Sequence, residues 1–179
     1  KFRQPYIARQ VRVTVPVHLA ALSWTTFQLL EGKAPHHDGL FQNGVIDTPF
    51  VTLSIDDGLT LYDKTTNEAY EDFLRFEDRG DIGNEYIYFQ PKGTEPIYAE
   101  LTAYEVLENN ARYAKILLKH DLTIPVSADE QLDAEQRGII EFMNRKASRS
   151  EELTTIPLET EMTIFVDDPQ IRFKTRFTN

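Results

Sequence analysis

Cysteine is absent from all 179 residues. That excludes disulfides and thiolate chemistry, and it favours a reducing, cytoplasmic setting. No apolar run approaches the roughly 20 residues that a membrane-spanning helix requires. The opening Lys1-Phe2-Arg3-Gln4-Pro5 contains no apolar signal-peptide core and does not begin with methionine. Basic residues are outnumbered, 19 against 29 acids, for a net charge of −10. Such a balance disfavours nucleic acid, which needs clustered lysine and arginine on its phosphates, and it disfavours anionic membranes. A Gly-x-Ser-x-Gly elbow is missing as well, so a serine triad has no scaffold to sit on. Neutral ligands remain compatible with this charge.

Apolar residues make up 41% of the chain and aromatics 11%. A chain of this length is expected to bury roughly 70% of its unfolded surface, enough for a true core. Alternation with a period of two dominates the pattern. The stretch IARQVRVTVPV over 7–17 places Val11, Val13, Val15 and Val17 on one face, as a half-buried strand does. Further strands are expected over 21–30, 50–53, 59–63, 85–90, 97–106, 111–126 (with a bend at His120-Asp121), 153–158, 162–166 and 171–177. Between 53 and 59, Asp56-Asp57-Gly58 supplies a tight hairpin turn. The exception is 128–146, where Ser127-Ala128-Asp129-Glu130 reads as a helix start and Ile139, Ile140, Phe142 and Met143 as its apolar stripe. An exposed insertion between two strands is the alternative there. The expectation is an all-β, antiparallel β-sandwich in a single domain spanning 1–179. Both ends read as cuts from a longer chain, since IRFKTRFTN is still alternating where the sequence stops.

The densest cluster of chemistry-bearing residues is EDRGDIGNEYIYFQP, residues 77–91. Asp78, Asp81 and Glu85 can reach the spacing of a carboxylate pair across a sugar. The same acids with Asn84 can ligate a hard cation, although not at EF-hand spacing. Abundant acid makes a solvated acidic turn the simpler reading of both. His36-His37-Asp38 invites a metal, but a solvated loop is the better reading. Tyr86 and Tyr88 share one face by period two, which suits either a core or the aromatic platform of a sugar site.

Taken together, several segments resemble one family. The run LTLYDKTTNEAYEDFLRFEDRGDIGNEYIYFQPKG is similar to the β-domain of the family 38 glycoside hydrolases, the retaining α-mannosidases. The matching positions are Leu59, Leu61, Asp63-Lys64-Thr65-Thr66, Tyr70, Phe76, Asp78, Gly80, Asp81, Gly83 and Tyr86. Upstream, VTVPVHLAALSWTTFQL resembles the family's strand and turn, with Ser23 where glycine is usual. Downstream, IPLETEMTIFVDDPQIRFKTRFTN resembles its closing strands. Asn67, where glycine is common, and Thr48-Pro49 depart from the pattern.

The resemblance implies a super-sandwich-like β-domain, akin to mutarotase-like and mannosidase C-terminal domains. It also implies a parent hydrolase of terminal α-mannosides that uses zinc. The nucleophile and the zinc ligands would lie in a catalytic barrel, joined by a helical bundle, so this segment would hold no metal and no catalytic residue. Its partners would be a mannose-containing oligosaccharide and the barrel and bundle of its own chain. Tyr86 would contact the bound mannose, with Asp81 and Gly83 shaping its loop. Two other readings stay open: a stand-alone carbohydrate-binding module using Tyr86, Tyr88 and Trp24, and a purely structural β-domain.

Overall fold

The computed structural model describes residues 13, 15, 17–28, 30, 32, 37–56 and 58–178. Two compact units emerge, Lys1–Pro35 and His36–Asn179, and each is described by itself. The strand expected over 7–17 falls largely outside the described residues of the first unit. The one expected over 21–30 is not formed. Instead the Ser23 amide and hydroxyl both donate to the Ala20 carbonyl, at 3.3 and 2.6 Å, and Leu22 takes a φ of +56°. A serine that captures a nearby carbonyl competes with ladder formation, and the chain turns here.

The second unit begins with an antiparallel meander of five short strands. These are β1 (Phe41–Gln42), β2 (Val45–Asp47), β3 (Val51–Ser54), β4 (Thr60–Asp63) and β5 (Glu68–Tyr70), paired in that order. Each turn has a local cause. Asn43-Gly44, with φ of +50° and +78°, makes the left-handed pair that a tight hairpin requires. Gly58 at +91° turns β3 into β4, as expected from Asp-Gly. After β4, Asp63 Oδ1 accepts from the Thr65 and Thr66 amides, and Asn67 closes the turn at +62°. Asparagine tolerates the left-handed region, so the departure from glycine at position 67 leaves the turn intact.

Next comes a two-stranded ribbon, β6 (Glu77–Asp78) with β7 (Ile97–Tyr98). The chain then enters a four-stranded antiparallel sheet of β8 (Glu100–Asn109), β9 (Tyr113–Pro125), β10 (Leu153–Phe165) and β11 (Ile171–Phe177), in the order β11-β10-β9-β8. The strand β9 runs without a break through His120; the irregularities lie on β8, which bulges between Leu101 and Ala103 and again between Val106 and Glu108. Between β9 and β10 stands α1 (Glu130–Arg137), capped by Asp129, whose carboxylate accepts from the Gln131 amide. Ile139, Ile140, Phe142 and Met143 lie beyond α1 and do not form its stripe, because Gly138 ends the helix and Ile139 turns left-handed at +55°. The strand expected over 85–90 is also absent, replaced by a closed loop.

The two larger sheets face each other across one core. Ile46, Val51, Leu53 and Leu61 from the small sheet, with Ile55 and Leu59 from its β3–β4 turn, meet Ala114, Ile116, Leu118, Met162 and Ile164 from the large one. Strand β9 shows why: its even positions are buried while Lys115 and Lys119 on the other face pair with Glu108 and Glu105 of β8. Burying each large aliphatic side chain contributes about 1.5–3 kcal/mol, whereas such exposed pairs contribute under about 1 kcal/mol. The apolar stripe therefore sets the register. The fold is an all-β antiparallel sandwich, as expected.

On the buried face of β9, the cross-strand row Phe177, Leu158, His120 and Leu101 continues the sheet beyond the core. His120 is only 5% exposed, its ring edge-on to Phe76 at 5.2 Å, and its Nδ1 has no hydrogen-bond partner. Burial lowers its pKa below that of an ordinary histidine. The unfolded chain consequently takes up the proton first. Its contribution to stability is full above the ordinary histidine pKa and is lost as pH falls through the folded value. Denaturant midpoints are expected to drop as the pH falls below the ordinary histidine pKa of about 6.5, before most carboxylates titrate, and His120→Leu is expected to flatten that drop. An equally steep drop in the variant would assign it to other groups.

Candidate functional site

Residues 79–96 join β6 to β7, and within them the chain folds back on itself. The Ile82 amide donates to the Phe89 carbonyl at 2.9 Å, and the Asn84 amide to the Ile87 carbonyl at 3.0 Å. Two side chains hold this closure. Asp81 Oδ1 accepts from the Gly83 amide at 2.8 Å and the Phe89 amide at 3.0 Å. Asn84 Oδ1 accepts from the Tyr86 and Ile87 amides, both at 2.9 Å. Asp and Asn that take up backbone amides in this way mimic a turn and stop a strand from forming. Gly83 is required by space: a Cβ there would lie 1.8 Å from the Ile87 carbonyl oxygen.

The loop is tied down from below. Ile82 is buried to 1% exposure, and Phe89 packs on Phe142 with ring centroids 5.6 Å apart. Arg145, itself buried, donates through Nη1 to the Ile82 carbonyl and, at 2.7 Å, to the Gly83 carbonyl. Arg149 pairs with Asp78 at the loop entrance. Gly80, at φ +69°, lies against that guanidinium, where a Cβ would come within 3.1 Å of Nε. A small cleft of about 170 Å³ opens beside Asp78, Gly80, Ser148 and Arg149.

Helix α1 holds the two arginines in place. Asp129 Oδ2 accepts from the Ser148 amide at 3.0 Å, and Glu135 accepts from the Lys146 and Ala147 amides at 2.8 and 3.2 Å. Burial alone would raise the Glu135 pKa. The two backbone amides, Gln131 and the nearby Arg145 outweigh it and hold the carboxyl below its ordinary range.

At the loop's far end Tyr86 is 86% exposed, with Tyr88 and Ile87 also exposed beside it. Neither tyrosine is a core residue. Of the acids in 77–91, Asp78 is engaged by Arg149, Asp81 by two amides and Glu77 by Arg79, while Glu85 is exposed. Asn84 Oδ1 is similarly taken, so the loop does not gather its oxygens on one cation. Among the described residues no cluster of three or more His, Asp or Glu can hold a metal ion. What the loop offers to a ligand is a phenol hydroxyl, able to donate and to accept, together with aromatic surface. Arg145, Arg149 and Glu135 were not singled out in the sequence. Their only signal was a basic segment after a helix, with nothing to say which carbonyls it would meet. Trp24, in the first unit, is 85% exposed.

The profile described as Glycosyl hydrolases family 38 C-terminal domain 1 matches residues 1–31. A curated relative from Halalkalibacterium halodurans, named "Putative mannosylglycerate hydrolase", is 30% identical over 177 residues, covering 91% of this chain and 19% of its own length. Among solved structures, an alpha-mannosidase from Enterococcus faecalis V583 superposes with a TM-score of 0.74 at 34% identity, over 82% of this chain and 17% of that one. A family 38 glycosyl hydrolase structure from Enterococcus faecalis gives 0.75 at 34% identity, over 83% and 19%. The chain thus spans less than a fifth of the length of the proteins it matches.

Two substitutions separate the loop's closure from its anchor. Gly83→Ala is expected to speed hydrogen exchange at the Ile82 and Asn84 amides by about tenfold or more, with β9 and β10 unaffected. Arg145→Met, which leaves two buried carbonyls unpaired, is expected to cost about 1–3 kcal/mol in denaturant unfolding. Unchanged exchange in the first variant would show that the Ile87 carbonyl moves aside freely.

Proposed function

We propose that this chain, homologous to the C-terminal β-region of the family 38 glycosyl hydrolases, supports a glycoside hydrolase acting on terminal α-mannosides and lends Tyr86 to the bound sugar. The observation that carries this reading is an exposed tyrosine on a loop whose base is locked. An aromatic ring left almost wholly in water while its loop is fixed by buried guanidinium bonds is arranged for a ligand rather than for a core. The phenol hydroxyl is suited to a sugar hydroxyl. Catalysis would rest with a barrel elsewhere in the protein, against which this β-region packs.

Family 38 chemistry is generally zinc-dependent. The described residues of this chain include no set that fits zinc, so no step is assigned to a metal here, and its ligands belong to the barrel in this reading. The relatives' names also leave two aglycones in play, a neutral sugar or glycerate. A kinetic comparison of an aryl α-mannoside with mannosylglycerate decides between them.

Tyr86→Phe in the whole hydrolase is expected to lower kcat/KM by about 2- to 13-fold, the loss of one neutral hydrogen bond of about 0.5–1.5 kcal/mol. Unchanged kinetics would remove Tyr86 from the sugar site. The chain alone is expected to cleave no aryl α-mannoside. Micromolar binding of mannosides to the chain alone, seen by calorimetry, would instead favour a stand-alone carbohydrate-binding module.

A further inference from the structure

A second cleft lies in the same unit, at the mouth of the sandwich where His120 sits, with a volume of about 400 Å³. Its walls include Asp72, Phe73, Arg75, Tyr98, Glu100 and His120. Three observations set it apart from an ordinary gap between sheets. The first is His120: its ring lines the cleft, is 95% buried by its 5% exposure, and keeps Nδ1 without a partner. A buried polar atom with no partner costs about 1–3 kcal/mol, and structures seldom retain one without a use.

The second is the segment preceding β6. Asp72 and Leu74 take φ of +51° and +61°. For a residue with a Cβ this region costs about 1–2 kcal/mol, and leucine has no side-chain hydrogen bond to offset it. The segment is held there by the Phe73 amide, which donates to the Leu59 carbonyl at 2.7 Å. Strain of this kind gathers where a ligand or a moving part is served.

The third is Arg75. Its guanidinium lies over the Tyr98 ring at 3.4 Å from the centroid, with Asp72 at 3.6 Å. Stacking restricts the fork before any ligand arrives. Around it Asp72 and Glu100 oppose the arginine's charge, while Phe73 adds apolar surface. A strongly charged ligand of either sign would meet a like charge on this wall. A neutral molecule that carries both hydroxyls and C–H surface would not, and its hydroxyls match Arg75 as donor and the neutral imidazole of His120 in either tautomer. The volume falls at the lower end for small-molecule sites.

We infer that this cleft is a binding site for a neutral polyhydroxylated ligand of monosaccharide size, distinct from the loop that carries Tyr86. The test is hydrogen–deuterium exchange at peptide resolution on the protein that carries this chain, with methyl α-mannopyranoside, methyl α-glucopyranoside or mannose 6-phosphate as the probe. Either neutral glycoside, well above its Kd, is expected to slow exchange across 72–76 and 97–101, about tenfold when the probe is at 10 Kd. Arg75→Ala and His120→Leu are each expected to abolish that slowing. Arg75 is half exposed, so its variant keeps the fold and the test stands even if the histidine variant unfolds. Tyr86→Phe is expected to leave the slowing intact, so this site and the proposed sugar contact at Tyr86 fail separately. No slowing with either neutral glycoside, slowing with the phosphate alone, or slowing that survives Arg75→Ala would each overturn the inference.

Discussion

Two arginines on one short segment, Arg145 and Arg149, determine where the exposed tyrosine can be. The first donates to the carbonyls of Ile82 and Gly83, and the second pairs with Asp78. Neither cation would tolerate burial alone, since an uncompensated buried charge costs several kcal/mol. Both must therefore find their partners when the unit folds, and those partners belong to the loop. Backbone carbonyls impose a sharper geometric demand on a guanidinium than another mobile side chain would. The loop's base is thus fixed by the burial of charge, with little contribution from apolar area beyond Ile82 and Phe89.

That arrangement explains the placing of helix α1, which otherwise buries little. Its buried side chain is Glu135, a carboxylate that accepts two amides from the segment leading out of Arg145. Asp129 serves twice, capping the helix and receiving the Ser148 amide. The short helix consequently works as a rack of acceptors. It holds the segment straight enough for both arginines to reach the loop, and the continuous β9–β10 pairing holds the helix. Sheet core, helix, arginine segment and tyrosine loop form one chain of dependence.

Much of this fold was legible in alternation. Alternation along β9 and the Asp-Gly turn announced the sandwich, though a bend was expected where β9 runs on unbroken through His120, and Asp129 announced the helix start. The missed features share a cause. In 85–90 the pattern YIYFQ alternates as a strand should, yet Asn84 and Asp81 capture the amides that a ladder would need. Ser23 does the same over 21–30. Side-chain capture of the backbone depends on a few torsions, and periodicity carries no trace of it. The Asn43-Gly44 hairpin was by contrast a visible signal left unread. For the candidate site, resemblance alone singled out Tyr86, Asp81 and Gly83, whereas the contacts of Arg145, Arg149 and Glu135 exist only once distant segments meet.

The acids of 77–91 are the densest cluster of charged side chains in the sequence. In the folded unit Asp78 and Asp81 are tied into the loop, the first by Arg149 and the second by two backbone amides on one carboxylate oxygen. A carboxylate held in this way cannot swing freely toward a substrate or an ion, since turning it would break the bonds that hold the loop closed. The tyrosine has the opposite balance. Its ring gains nothing from the fold, and its hydroxyl is committed to no neighbour in the loop. Residues that stabilise a loop and residues that it presents compete for the same few polar atoms. Here the division is clean, with carboxylates and glycines on one side and Tyr86 on the other.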